Sequence, residues 1–342
     1  MTDTRPIKSI GFIHLVPFDP RDPRKGHEEG IELFTYAERL GLDSGWVRTR
    51  HLQHGLSAPA VFFGAVSRET ERIGLGNAVI PVGFENPFRL AEDLATADVL
   101  SGGRLLPGLS VHPPRYDDHL NGLVHDAGWP HEDYGYGRIE RLRGFLAGEA
   151  LRARPEYGGF GGDFDSERVE PYSPGLSDRL WYGGGSLRSA EWAGRAGFHW
   201  LMSNINSYEN GEQDFAAAQL AQIRAFRGAH AAGEDARVSV ARVFAPTEGA
   251  TAAQREKYAE YLRSRAPRSQ GVFQGRTLIA QDITGSNDQI VDVIRNDAAF
   301  QAADDYLFEL PFEFELDDWK QILDQLAGEI GPALGWRPAP RG

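Results

Sequence analysis

Cysteine is absent from this chain, which excludes a disulfide framework, thiolate-held zinc, iron–sulfur clusters and thiol catalysis together. Positive charge is in short supply: Lys and Arg number 36 against 49 Asp and Glu, a formal net charge of −13. Such an acidic surface repels polynucleotides and anionic membranes, so neither is an expected partner. Nothing approaches the ~20 uninterrupted apolar residues of a membrane span. Met1–Ser9 carries charges where a signal peptide needs an apolar centre, so a cytoplasmic protein is expected. Self-similarity at periods of roughly 20–50 residues is also missing, which sets repeat architectures aside. What remains has an ordinary composition, 41% hydrophobic and 25% charged over 342 residues, enough for one large core without a covalent staple.

Along the chain, β-type runs alternate with helical stripes. Ile7–Val16 reads as a strand, Pro17–Gly26 as a loop, and Glu28–Gly41 as a helix with Ile31, Phe34, Ala37 and Leu40 on one face. Gly45–Arg50 is the second strand, and Ser57 with Pro59 opens a helix running to about Glu71. Ile73–Val82 is the third strand. Asn86-Pro87 starts the next helix, and Gly102-Gly103 stops it after Ser101. Leu105–Val111 is the fourth strand, with Pro107 expected to break its ladder. Later strands are placed at Leu180–Gly183, Trp200–Ile205, Val238–Phe244 and Tyr306–Leu310. Helices fall at Arg138–Gly148, Ser186–Gly197, Phe215–His230, Ala252–Arg265, just after Ser286, and Asp317–Ile330. Eight strands, each followed by a helix, predict a single α/β domain over 1–342, a (β/α)₈ TIM barrel. Long irregular segments at about 112–137, 154–175 and 266–285 read as loop insertions, the second containing a short hairpin.

Chemistry-bearing residues gather where strands hand over to helices. In Tyr182-Gly183-Gly184-Gly185-Ser186-Leu187-Arg188-Ser189, glycines allow a tight turn, and Ser186 and Ser189 take the cap and third helical positions beside unpaired N–H groups. That is a phosphate cradle; the other reading is a capped helix start and nothing more. The Lys of a Walker loop is missing. At the end of the second strand stand Arg48, Arg50, His51 and His54. On a barrel's catalytic face, His51 suits proton movement near neutral pH, and the arginines suit an anionic or electron-rich group. The alternative is a structural histidine bonded to a loop carbonyl and solvated or ion-paired arginines. His14, His51, His54 and His112 lie on separate segments without a carboxylate at ligand spacing, so no metal is expected. Gly76-Asn77-Ala78-Val79 gives the third strand a small-residue end on which a flat ligand can lie. Tyr116, Tyr134 and Tyr136 are candidates for a pocket wall.

Five blocks in order resemble the luciferase-like flavin monooxygenases, the family of bacterial luciferase and the alkanesulfonate monooxygenases. They are AERLGLDSGWV (37–47), RIGLGNAV (72–79), NPFRLAED (86–93), DVLSGGRL (98–105) and GSLRSAEWAG (185–194). The resemblance is dense over about 7–111 and 179–205 and thin elsewhere. It implies a (β/α)₈ barrel using reduced FMN, supplied by a separate flavin reductase, with dioxygen on a small organic substrate. The deazaflavin coenzyme in an oxygen-free hydride transfer is the alternative cofactor. By position, Gly184, Gly185, Ser186 and Ser189 would hold the flavin phosphate, with Arg138 as a second contact. Asn77, Ala78 and Val79 would lie beneath the ring, with a cis peptide at Ala78–Val79. His51 matches the second of a histidine pair whose first member is Arg50 here, a departure that argues against luciferase chemistry proper. His51, Arg50 and Arg48 are the catalytic candidates implied, in a homodimer or homo-oligomer. A catalytically silent, flavin-binding partner subunit is the rival from outside enzymology. The segment 266–285 is expected to be a mobile lid over the flavin.

Overall fold

The computed structural model describes residues 5–125, 128–151 and 165–340. Eight parallel strands form its centre: β1 Ser9–His14, β2 Ser44–Val47, β3 Gly74–Asn77 continued by Ile80–Pro81, and β4 Leu105–Leu106 continued by Gly108–Ser110. They are followed by β5 Trp181–Gly183, β6 His199–Met202, β7 Val238–Pro246 and β8 Asp305–Glu309. Each pairs with the next, and β8 closes on β1 with Ser9 opposite Asp305 and Ile13 opposite Glu309. The ring is therefore a closed (β/α)₈ barrel, and its β4 is interrupted at Pro107, which has no N–H to donate.

Two apolar layers follow from this closure. Outside, the helices bury one stripe each against the strands, as Leu33, Phe34 and Ala37 do from the helix Pro23–Leu40. Inside, Ile13, Trp46, Trp181, Leu201, Ala241 and Leu307 fill the barrel, with Ala78, Val79 and Leu106 against them. The barrel is thus plugged, and only its carboxyl-end mouth can hold a ligand.

Capping chemistry accounts for the helix boundaries. Asn86 accepts from the N–H groups of Phe88 and Arg89, Pro87 is the first helical residue, and Gly102 ends Pro87–Ser101 in the left-handed conformation. Ser286 and Gln289 form a reciprocal capping box before Asn287–Asn296. Elsewhere the first-helix boundary moves: Pro23–Leu40 starts inside the segment read as loop, because Asp22 accepts from the N–H of Lys25 and Pro23 is pre-set for the first turn. Ser57 does not cap; Ala58 occupies the cap of Pro59–Glu69 without a side-chain bond.

The insertions are more ordered than their composition suggests. Segment 112–137 holds a short helix, Asp118–Val124, capped by Asp117, and leads into the helix Tyr136–Leu146. Segment 266–285 is no free loop. Thr277–Ile279 pairs antiparallel with Ile205–Ser207, which begins at the expected end of the strand Trp200–Ile205 but is separate from β6, and Ile283–Gly285 pairs with the end of β7. Of the segment 154–175, where a short hairpin is expected, 154–164 lies outside the described residues, and 165–175 contains no strand.

Candidate active site

Strand ends converge on a cavity of about 490 Å³ at the carboxyl-end mouth, well within the roughly 300–1,000 Å³ of small-molecule sites. Ile13 of β1, Leu201 of β6 and Ala241 of β7, all from the barrel interior, line it together with Met202 of β6. Arg48, Thr49, Arg50 and His51 enter directly after β2, Ala78 and Val79 from the break in β3, Ser110 from β4, and Gly183, Gly184 and Gly185 from β5. Ser203, Ile205, Asn206, Ser207 and Thr277 form the rim, so the ladder between Ile205–Ser207 and Thr277–Ile279 walls one side. The peptide Ala78–Val79 is cis.

An aromatic wall stands on the other side. His51 stacks on Phe84 with ring centres 4.2 Å apart, and His112, His125 and Tyr116 surround the same phenyl ring at 5.1, 5.3 and 6.2 Å. Burial lowers the pKa of His51. His112 is lowered by burial and then by Arg115, His51 and His125. The imidazoles are therefore neutral at pH 7, and Nε2 of His51 is buried with no protein partner. Although three histidines gather here, no group of three or more His, Asp or Glu among the described residues is placed to hold a metal.

The two arginines after β2 differ in kind. Arg48 donates through Nη2 to Glu309 Oε2 at 2.5 Å, and both side chains are largely buried. The guanidinium is thereby neutralised by a carboxylate of β8, 261 residues away in the chain. Arg50 makes no ion pair and no side-chain hydrogen bond among the described residues. Its pKa is lowered by burial first and by Arg48 second, with Glu309 opposing.

Ser186 caps the helix Leu187–Arg195: its Oγ accepts from the N–H of Ser189 at 3.2 Å and donates to Ser189 Oγ at 2.9 Å, and the Tyr136 hydroxyl lies 3.3 Å from Ser189 Oγ. At the next helical position a carboxylate already sits on the helix end, with the N–H of Leu187 donating to Glu209 Oε2 at 2.8 Å. Asn206, almost fully buried beside Gly185, has neither amide atom bonded. A Cβ on Gly185 would come within 3.0 Å of the Ile205 carbonyl and 3.6 Å of Asn206 Oδ1, occupying the space between them. Gly183 and Gly184 are instead fixed by packing, since a Cβ would lie 2.5 Å from Val79 or 2.6 Å from Trp200.

Of the residues singled out in the sequence, Arg48, Arg50, His51, Ala78, Val79, Gly184 and Gly185 line the cavity together. Ser186 and Ser189 stand immediately behind its Gly185 edge. Asn77 is fully buried in β3 with its amide unbonded, not at the surface of the cavity. Arg138 does not line it either: Nε and Nη2 donate to the Glu85 carbonyl, and Nη1 to Glu132 Oε2 and the Asp133 carbonyl. Sequence reasoning missed Asn206, Glu209 and Glu309. A polar run closing a strand, Ser203-Asn204-Ile205-Asn206, and a lone acid in the apolar strand Tyr306–Leu310 were the signals available.

A plugged parallel barrel whose mouth carries a half-buried histidine, a guanidinium unpaired among the described residues and, behind it, a capped helix end has the concave, polar-edged shape of small-molecule sites. A family model described as luciferase-like monooxygenase matches residues 10–327, and the chain belongs to that family. Among curated relatives, the oxygenase component of the flavin-dependent trigonelline monooxygenase of Acinetobacter baylyi is 28% identical over 102 residues, 29% of this chain and 28% of that protein. The curated relatives are matched over only 28–33% of their own length. In overall shape the chain is similar to apo-MsnO8, with a TM-score of 0.72 at 18% identity over 97% of this chain and 99% of that one. It is also similar to the oxygenating constituent of 3,6-diketocamphane monooxygenase of Pseudomonas putida, solved with FMN, with a TM-score of 0.63 at 15% identity over 95% and 98%.

Proposed function

We propose that this protein is a flavin-dependent monooxygenase that takes reduced FMN from a separate reductase in the cytoplasm and, with dioxygen, oxygenates a small organic substrate. The observation that carries the reading is the place of the capped end of Leu187–Arg195 directly behind the Gly185 edge of a cavity that Ala78 and Val79 also line. The residues present fit the cofactor. Ser186, Ser189 and the unbonded Asn206 amide are the donors for its phosphate and polyol end, and Gly185 leaves the room. Bound there, the reduced flavin supplies the electrons with which dioxygen is activated.

The chain's own residues then bind, orient and move protons. Ala78, Val79 and Leu201 exclude water from one face of the cavity. Neutral His51, with Nε2 free and its ring held against Phe84, accepts or returns a proton at that nitrogen. Arg48, already neutralised by Glu309, holds the strand-end geometry, whereas Arg50 presents net positive charge to the cavity.

Titration of the protein with reduced FMN and with reduced deazaflavin coenzyme, each with and without air, tests the reading. Oxygen-dependent turnover with FMN by the isolated chain is expected. Turnover confined to the deazaflavin without oxygen establishes the hydride-transfer alternative, and no turnover with either leaves the silent partner subunit.

A further inference from the structure

Arg50 is a cation without a partner among the described residues, in a protein of net charge −13. Nothing in the cavity lining opposes it: the lining has two arginines and not one Asp or Glu. The one carboxylate close behind, Glu309, is already bonded to Arg48. A half-buried guanidinium that has lost part of its hydration and gained no anion is set for a ligand that brings one. Beside it the wall is flat and aromatic, with His51 stacked on Phe84 at an interplanar angle of 27° and His112 tilted against the same ring by 34°. All three rings line the cavity with Tyr116. A second face of this kind favours a planar ring over a branched aliphatic body.

We propose that Arg50 is the anchor for a carboxylate on the substrate, and that the substrate is an aromatic acid whose ring lies against the His51–Phe84 wall. The inference deepens the monooxygenase reading and rests on it for the identity of the ligand as substrate. Arg50 here touches the substrate's carboxylate and takes no part in proton transfer. Its planar fork matches a carboxylate with two parallel N–H donors, which a lysine ammonium does not reproduce.

Calorimetric titration with named probes tests it: benzoate and 2-naphthoate, their methyl esters, and cyclohexanecarboxylate, against flavin-free and FMN-loaded protein, for the wild type, Arg50→Gln and Arg50→Lys. The acids are expected to bind about tenfold or more tighter than their esters, and the aromatic acids tighter than cyclohexanecarboxylate. Arg50→Gln is expected to abolish the acid-over-ester preference and to leave FMN affinity unaltered, with Arg50→Lys in between. Thermal melts of both variants separate lost anchoring from lost folding, and Arg50→Lys, which keeps the charge, carries the test if the neutral variant does not fold. Esters binding as tightly as acids, an undiminished preference in Arg50→Gln, or no binding by any acid overturns the proposal. So does a weakened FMN affinity with the acid-over-ester ratio intact, because Arg50 then addresses the flavin. An acid preference that depends on Arg50 in a protein that binds no flavin upholds the anchor and removes the monooxygenase reading instead.

Discussion

The carboxylate of Glu209 occupies the helix end that the flavin phosphate approaches in the proposed function, where the two anions would compete for one place. Glu209 Oε2 accepts from the N–H of Leu187 at 2.8 Å, a charge-assisted bond worth about 1.5–3 kcal/mol at most in a partly exposed setting. Left in place, it repels a phosphate charge ~4 Å away by roughly 1 kcal/mol in water and about 4 kcal/mol at an effective dielectric constant of 20. The half-exposed position of Glu209 puts the net effect near the lower end, at about 1–2 kcal/mol. Replacing Glu209 with Gln keeps an oxygen acceptor for Leu187 and removes the charge. FMN affinity is therefore expected to rise about 5- to 30-fold, while riboflavin, which lacks the phosphate, is unaffected. Fluorescence titration of Glu209→Gln and wild type with both flavins measures the ratio directly. Equal changes for FMN and riboflavin, or weaker FMN binding by the variant, would refute the competition and place the phosphate elsewhere.

Removing both hydroxyls in Ser186→Ala with Ser189→Ala is expected to weaken FMN binding tenfold or more, at about 0.7–1.5 kcal/mol for each lost bond, without shifting the melting temperature by more than the loss of one cap. Unchanged FMN affinity sinks the cradle. His14, completely buried against Trp319 with its pKa pushed down to about 3, stays neutral in the fold while the unfolded chain takes up a proton near 6.5. Its contribution to stability is complete above 6.5 and drains away as the pH falls toward 3. Thermal melts should show a smaller loss between pH 7 and 5 in His14→Gln than in the wild type, and equal losses refute the assignment. Asp98 is wholly buried and accepts from the N–H of Leu105 at 3.0 Å, from Ser173 Oγ at 2.5 Å and from Arg179 Nη2 at 2.6 Å. Asp98→Ala strands these donors and is expected to cost about 3–5 kcal/mol in urea unfolding; a loss under about 1 kcal/mol contradicts that accounting.

Local chemistry was the part of the fold legible in the sequence. Asn86-Pro87 and Gly102 fix both ends of one helix, because a cap depends only on residues within a turn of it. Asp22-Pro23 carried the same signal, masked by the Pro- and Asp-rich run around it. The barrel followed from alternation, and the small-residue end of β3 led to its place beneath the cavity. Pairings across the ring were not legible. Arg48 and Arg50 look alike in sequence, and only closure of β8 onto β1 decides which of them meets Glu309. The antiparallel ladder joining Ile205–Ser207 to Thr277–Ile279 has no periodic trace in either segment, so the wall it gives the cavity was not legible. Glu209 stands where no helix or strand pattern marks it, and its contact to Leu187 spans 22 residues.

A cavity with a free guanidinium and no acid in its lining, set in a strongly acidic chain, gives anionic ligands two opposed experiences. At long range the protein pushes them away, and within a few ångströms the mouth of the barrel draws them in. Salt acts on these unequally. Screening over a Debye length of about 10 Å at 0.1 M removes the distant repulsion before it reaches a half-buried contact. Association of acidic substrates should then quicken with ionic strength while their departure changes little, the reverse of what an electrostatically steered enzyme shows. A reductase that hands over its product at the barrel mouth bypasses that barrier, because the ligand then never crosses the acidic field from bulk solvent.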